Sequence, residues 1–92
     1  MTSYLTNPRC LLTSLPDGTG VVLHLDDKFY FTLNATAVFM WQRIADGSAR
    51  TVPALAEAIA LAFRVDVAAA RGDVQTLLDE LVANGLSLKD AA

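Results

Sequence analysis

The sequence predicts an α+β fold, a three-stranded antiparallel sheet followed by three helices (βββααα). Two periodicities and a set of turn residues predict it. Between Val21 and Leu33 apolar residues recur at every second position, as in half-buried strands. From Ala37 to Leu81 they recur at three- and four-residue intervals, as in helices packed on one face. Pro16-Asp17-Gly18, Asp26-Asp27, Gly47 and Gly85 stand where such elements must turn or end.

Arg9 to Leu15 reads as a first short strand, closed by Pro16-Asp17-Gly18, in which proline presets φ and glycine tolerates a positive φ. Val21, Leu23 and Leu25 alternate with Val22, His24 and Asp26, which predicts a second strand with one buried face. Asp26-Asp27 forms the next hairpin tip, and Lys28 to Leu33 returns as a third strand. On it Phe29, Phe31 and Leu33 share one face, and Tyr30 and Thr32 the other. Asn34 then caps a first helix running to about Asp46, with Ala37, Val38, Trp41, Ile44 and Ala45 on its apolar stripe and Gly47 as its stop. Thr51 caps a second helix, where Pro53 is tolerated in the first turn, and Leu55, Ile59, Ala62 and Phe63 form its stripe. Asp66 caps a third, whose stripe is Ala70, Val74, Leu77, Leu78 and Leu81 and which ends at Gly85. Gly72 inside it marks either close packing or simple tolerance. The tail after Leu88 is expected to be loose.

At 92 residues the chain makes one small domain, with its core over about 9–88. No apolar run approaches the roughly 18 residues that a membrane-spanning helix needs. The first ten residues lack a basic start followed by an apolar stretch, so no secretory signal is expected and the cytoplasm is the expected location. The net charge is −3, without the basic patch that marks nucleic-acid binding. Cys10, the sole cysteine, is expected to be a small buried hydrophobe rather than a nucleophile. His24 has no partner at ligand spacing, so neither a metal nor another cofactor is expected. No nucleophile with an activating base is visible, and no catalytic residue is assigned.

Sequential hairpins place the second strand in the middle and leave the third, Lys-Phe-Tyr-Phe-Thr-Leu, at an edge. An edge strand offers unpaired N–H and C=O groups that template another strand. This one is aromatic, β-prone and lightly charged. Either a helix covers it or it stays open to a peptide.

The ordered set Leu33-Asn34-x-x-Ala37-x-x-x-Trp41-x-x-Ile44-x-x-Gly47, Thr51-Val52, Val65-Asp66, Asp73-Val74, Leu77-Leu78, Leu81 and Gly85-Leu86 resembles the PqqD-type family. The likeness runs from about Pro16 to Leu88. It departs at the second hairpin tip, which lacks glycine, and at Pro53-Ala54, where the family often carries acidic residues. The resemblance implies a winged-helix-like domain that recognises leader peptides of ribosomally made, post-translationally modified peptides. It further implies a stand-alone recognition element, or peptide chaperone, of a lasso-peptide or quinone-cofactor (PQQ) pathway. In the family the leader adds as a strand beside the third strand, facing the third helix. Carried over, the peptide-binding residues are Phe29, Tyr30, Phe31 and Thr32 on the strand and Arg71, Val74, Gln75 and Leu78 on the helix, with Arg71 placed to meet an acidic leader side chain. The implied partners are the precursor leader and a modifying enzyme or leader peptidase, without nucleic acid or membrane, the chain being a monomer or weak homodimer.

Plainer readings stand beside these. Phe29, Phe31, Leu33, Val74 and Leu78 fit a plain core, and they serve as pocket as well only if the core is open at the strand edge. Trp41 reads as a packing anchor and Arg71 as a solvated charge. The rival functions are a winged helix-turn-helix DNA-binding regulator and a structural subunit that dimerises through its edge strand. The third helix carries Asp66, Arg71, Asp73, Asp79 and Glu80, a net negative set that disfavours DNA phosphates.

Overall fold

The computed structural model describes residues 2–91. Its elements are β1 (Thr2–Thr6), β2 (Cys10–Ser14), β3 (Gly20–His24), β4 (Phe29–Leu33), α1 (Ala35–Asp46), α2 (Val52–Phe63), α3 (Val67–Ala83) and β5 (Ser87–Ala91). The three expected strands pair antiparallel in the order β2-β3-β4, so β4 is an edge. The three expected helices follow.

One expectation is overturned. The tail after Leu88 is not loose: Ser87–Ala91 pairs antiparallel with Thr2–Thr6, Thr2 facing Ala91 and Thr6 facing Ser87. The βββααα description therefore gains a second, two-stranded sheet made from the two ends of the described chain. Side chains hold this junction. The Ser87 hydroxyl donates to the Leu5 carbonyl at 2.7 Å, and the Asn7 amide donates to the Gly85 carbonyl at 2.7 Å. The Tyr4 N–H donates to the Arg50 carbonyl at 2.8 Å, which fastens β1 to the α1–α2 loop.

All three helix caps form as the residue types dictate. The Asn34, Thr51 and Asp66 side chains accept from the N–H groups of Ala37, Ala54 and Ala69. Gly47 closes α1 in the left-handed region at φ 81°, its N–H donating to the Ile44 carbonyl. Arg64 takes the same conformation after α2 without being glycine.

Register puts Cys10, His24 and Phe29 in one row across the sheet, and Leu12, Val22 and Phe31 in the next. These rows form the inner face. Leu11, Leu23 and Tyr30 form a row on the outer face. The core has two parts. One gathers Tyr4, Met40, Ile44, Leu55, Ile59, Ala70, Val74 and Leu78 between the helices and β1. The other gathers Cys10, Val22, Leu33, Val38, Trp41, Leu81 and Leu86 between the sheet, α1 and the end of α3. Leu77, half-buried, packs against both.

The expected stripes need three corrections. Ala45 and Ala62 are exposed, and Phe63 is 40% exposed. On α2 the buried residues are Leu55, Ala56 and Ile59, because the helix meets its neighbours along that narrow face only. Phe63 instead rests edge-on against Phe39, ring centroids 5.5 Å apart. No helix among the described residues is long and apolar enough to cross a membrane.

Candidate peptide-binding site

β4 pairs with β3 on one side and with no strand among the described residues on the other. A row of main-chain donors and acceptors is therefore open along Phe29–Leu33. Pleating sends Phe29, Phe31 and Leu33 inward and Tyr30 and Thr32 outward. Leu33 is buried, Phe29 and Phe31 are half-buried, and Tyr30 is 71% exposed. The two phenylalanines thus belong to the core and also present surface at the strand edge. Phe29 is braced from the neighbouring strand by the buried His24, whose ring stacks on it at 5.4 Å. His24 in turn accepts from the Asp27 N–H at Nδ1 (3.2 Å), which fixes its ring and the hairpin tip.

The four helix residues expected at the site fall in different places. Val74 and Leu78 are fully buried, and Arg71 and Gln75 are exposed. Gln75 donates its amide to Asp79 at 3.0 Å along the outer surface of α3. At about 100° per residue, Arg71, Gln75 and Leu78 lie on one flank of α3. Asp73, Leu77 and Glu80 lie on the other.

That second flank borders a hollow between α1, α2 and α3. A cavity of about 330 Å³ is lined by Asn34, Thr36 and Met40 of the α1 end, Ile59 of α2, and Asp73, Val74, Thr76, Leu77 and Glu80 of α3. Asn34 directly follows Leu33, so the cavity opens where β4 ends. Leu77 joins the two regions, since it lines the cavity and packs in the same cluster as Phe29 and Phe31. Val74 is common to the expected site and the cavity, as part of its floor. Asp73, Leu77 and Glu80 were not singled out by the sequence as site residues. Their signal, a Leu flanked by carboxylates at i−4 and i+3, becomes meaningful only once the strand edge is known to lie on that side.

Among the described residues no group of three or more His, Cys, Asp or Glu could hold a metal ion. Three groups away from the site have displaced pKa values. Burial, aided by Asp26 and Asp27, pushes the Cys10 thiol up, so it stays protonated and inert. Asp17 and Asp46 are held below the usual carboxylate range by hydrogen bonds from Thr19 and Ser48, as turn formers.

With this geometry in hand, comparison with known proteins is informative. The sequence model of the family described as "Coenzyme PQQ synthesis protein D (PqqD)" matches residues 19–86. The chain belongs to the PqqD family. No curated protein sequence matches it. Two solved structures share the PqqD-type fold seen here. One is TbiB1 in complex with the TbiA(beta) leader peptide, 23% identical, with a TM-score of 0.82 over 96% of this chain and 99% of that one. The other is lasso peptide synthetase B1 complexed with the leader peptide, 26% identical, with a TM-score of 0.79 over 94% of this chain and 98% of that one.

Proposed function

We propose that this PqqD-family chain binds the leader region of a ribosomally synthesised precursor peptide by strand addition along β4. It then presents the peptide to a modifying enzyme or leader peptidase of the same pathway. The supporting observation is the open, uncharged β4 edge bordering a groove, in a fold shared with proteins solved with leader peptides bound. Main-chain bonds to β4 supply affinity, and pockets for alternate side chains set the register. In this reading Phe29, Tyr30, Phe31 and Thr32 form the strand wall. The part of α3 facing them carries Asp73, Leu77 and Glu80, with Val74 beneath. A lasso-peptide pathway is placed ahead of a PQQ-like one because a lasso peptide synthetase B1 is among the structural relatives.

The protein's contribution is effective concentration. A captured leader makes the following core peptide a tethered substrate, and local concentrations in the millimolar range are typical for short flexible tethers. No reacting group on the chain is needed.

The test is a fluorescence titration with the synthetic leader of the precursor peptide encoded beside this gene, with a 20-base-pair DNA duplex in a parallel arm. Saturable peptide binding at micromolar or tighter affinity is expected, with none to DNA. Binding to DNA alone would make the chain a regulator. Binding to neither, with concentration-dependent dimerisation through β4, would make it a structural subunit.

A further inference from the structure

We infer that the groove selects a leader carrying a lysine or arginine, whose side chain enters the cavity at the C-terminal end of β4 and lies between Asp73 and Glu80. The inference rests on the leader-binding reading above and adds the chemistry of the ligand.

The cavity walls divide by chemistry. Met40, Ile59, Val74 and Leu77 make an apolar floor. Asn34, Thr36 and Thr76 are polar and neutral, and Asp73 and Glu80 are the charged residues on the lining, with no Lys, Arg or His among them. The Arg–carboxylate pairs among the described residues are Arg9–Asp26 and Arg43–Asp46, and His24 lies near Asp27, so neither cavity carboxylate has a cation within 4 Å. Asp79, between them in sequence, differs: it already accepts the Gln75 amide on the other flank. The α1 N-terminus at the cavity adds about half a positive charge, well short of balancing two carboxylates. A concave site of one sign concentrates ligands of the other.

Geometry makes the site one for an extended peptide rather than a free ion. A strand added along β4 runs to Leu33, and its next residues pass Asn34 at the cavity mouth. A basic side chain at that point carries its methylene stem over Leu77 and its charged head to the carboxylates, the arrangement that long cationic side chains adopt over apolar surface. At the other end of β4, by Phe29 and His24, no carboxylate flank of α3 is offered. Asp26 and Asp27, at that end, already face Arg9 and His24, so the carboxylates without a neighbouring cation stand at one end of the leader segment. The charge preference is opposite in sign to one set by Arg71.

The experiment uses the same synthetic leader and the full chain, as wild type, Asp73→Asn, Glu80→Gln and the double variant, with Glu57→Gln on α2 as a charge control. Both carboxylates are exposed, so circular dichroism melts should stay unchanged. The double variant should bind about tenfold more weakly, with a shallower salt dependence, and Glu57→Gln should bind as wild type. Replacing one leader Lys or Arg by Gln should cost the same factor against wild type and almost nothing against the double variant. The inference is overturned if the double variant binds as tightly as wild type or tighter, or if the leader segment along β4 has no basic residue. In either case leader binding by the wild type would still stand. Failure of the wild type to bind the leader would instead remove the reading on which the inference rests.

Discussion

Gly20 and Gly72 look alike in the sequence, each a glycine inside a regular element, and the structure gives them opposite meanings. A Cβ on Gly20 would lie 2.8 Å from Leu12 Cδ1, 2.9 Å from Val38 Cγ2 and 3.2 Å from the Thr13 carbonyl oxygen. The missing side chain is what lets α1 come down onto the sheet. Gly20→Ala is expected to destabilise by about 1–3 kcal/mol, the usual cost of overpacking. A urea midpoint equal to wild type would show that Leu12 and Val38 turn aside freely. Nothing lies within 4 Å of a Cβ on Gly72. Gly72→Ala should therefore stabilise by about 1 kcal/mol through helix propensity alone, and the same titration should show a higher midpoint. The sequence left packing and tolerance both open at Gly72, because a helix position does not reveal what stands opposite it. It gave no hint of Gly20, whose constraint comes from Val38 on another element.

For the elements, local chemistry was a good guide and their mutual orientation was not. Period-two alternation marked β3 and β4, and Asn34, Thr51 and Asp66 cap their helices as their side chains allow. The open edge of β4 was legible for this reason: an aromatic edge strand is visible in the sequence. The flank of α3 that lines the cavity was not. A 3.6-residue stripe tells which residues of α3 are buried, but not which flank of the stripe borders the cavity beyond β4. The structure sets Arg71 and Gln75 on one flank and Asp73, Leu77 and Glu80 on the other. Strand addition along β4 makes an alternating prediction. Proline replaces a backbone donor, and successive N–H groups of an edge strand point alternately to its partner and to solvent. In a series Tyr30→Pro, Phe31→Pro and Thr32→Pro, the variants losing an inward donor should fail to fold. Those losing an outward donor should keep their circular dichroism melt and lose leader affinity by tenfold or more. An outward variant that folds and binds as wild type would rule out strand addition there.

Across the whole molecule, the surprise is the sheet that joins β1 to β5. Thr-Ser-Tyr-Leu-Thr and Ser-Leu-Lys-Asp-Ala are short, polar and without a clean apolar alternation. Their pairing depends on a partner far along the chain, with Ser87 bonding Leu5 across a separation of 82 residues. No local pattern announces such a pairing. Its energetic unit is the pair, since Tyr4 is buried only while β1 is held. Deleting 2–6 or deleting 87–91 should each lower stability by several kcal/mol, Tyr4 burial being a large part. Deleting both should cost clearly less than the sum, since each deletion removes the same ladder. Additive losses in urea unfolding would show that the two strands are stabilised independently. The register has a mechanical meaning too. Thr2 faces Ala91 at one end of the ladder and Thr6 faces Ser87 at the other. Tension applied between Thr2 and Ala91 therefore falls across a single rung. It acts along the hydrogen bonds, which run perpendicular to the strands. The sheet opens like a zipper, rung by rung, and is not sheared as a block. A pull between Thr2 and Ala91 is expected to free β1 and β5 first, ahead of the β4 edge that would hold a peptide.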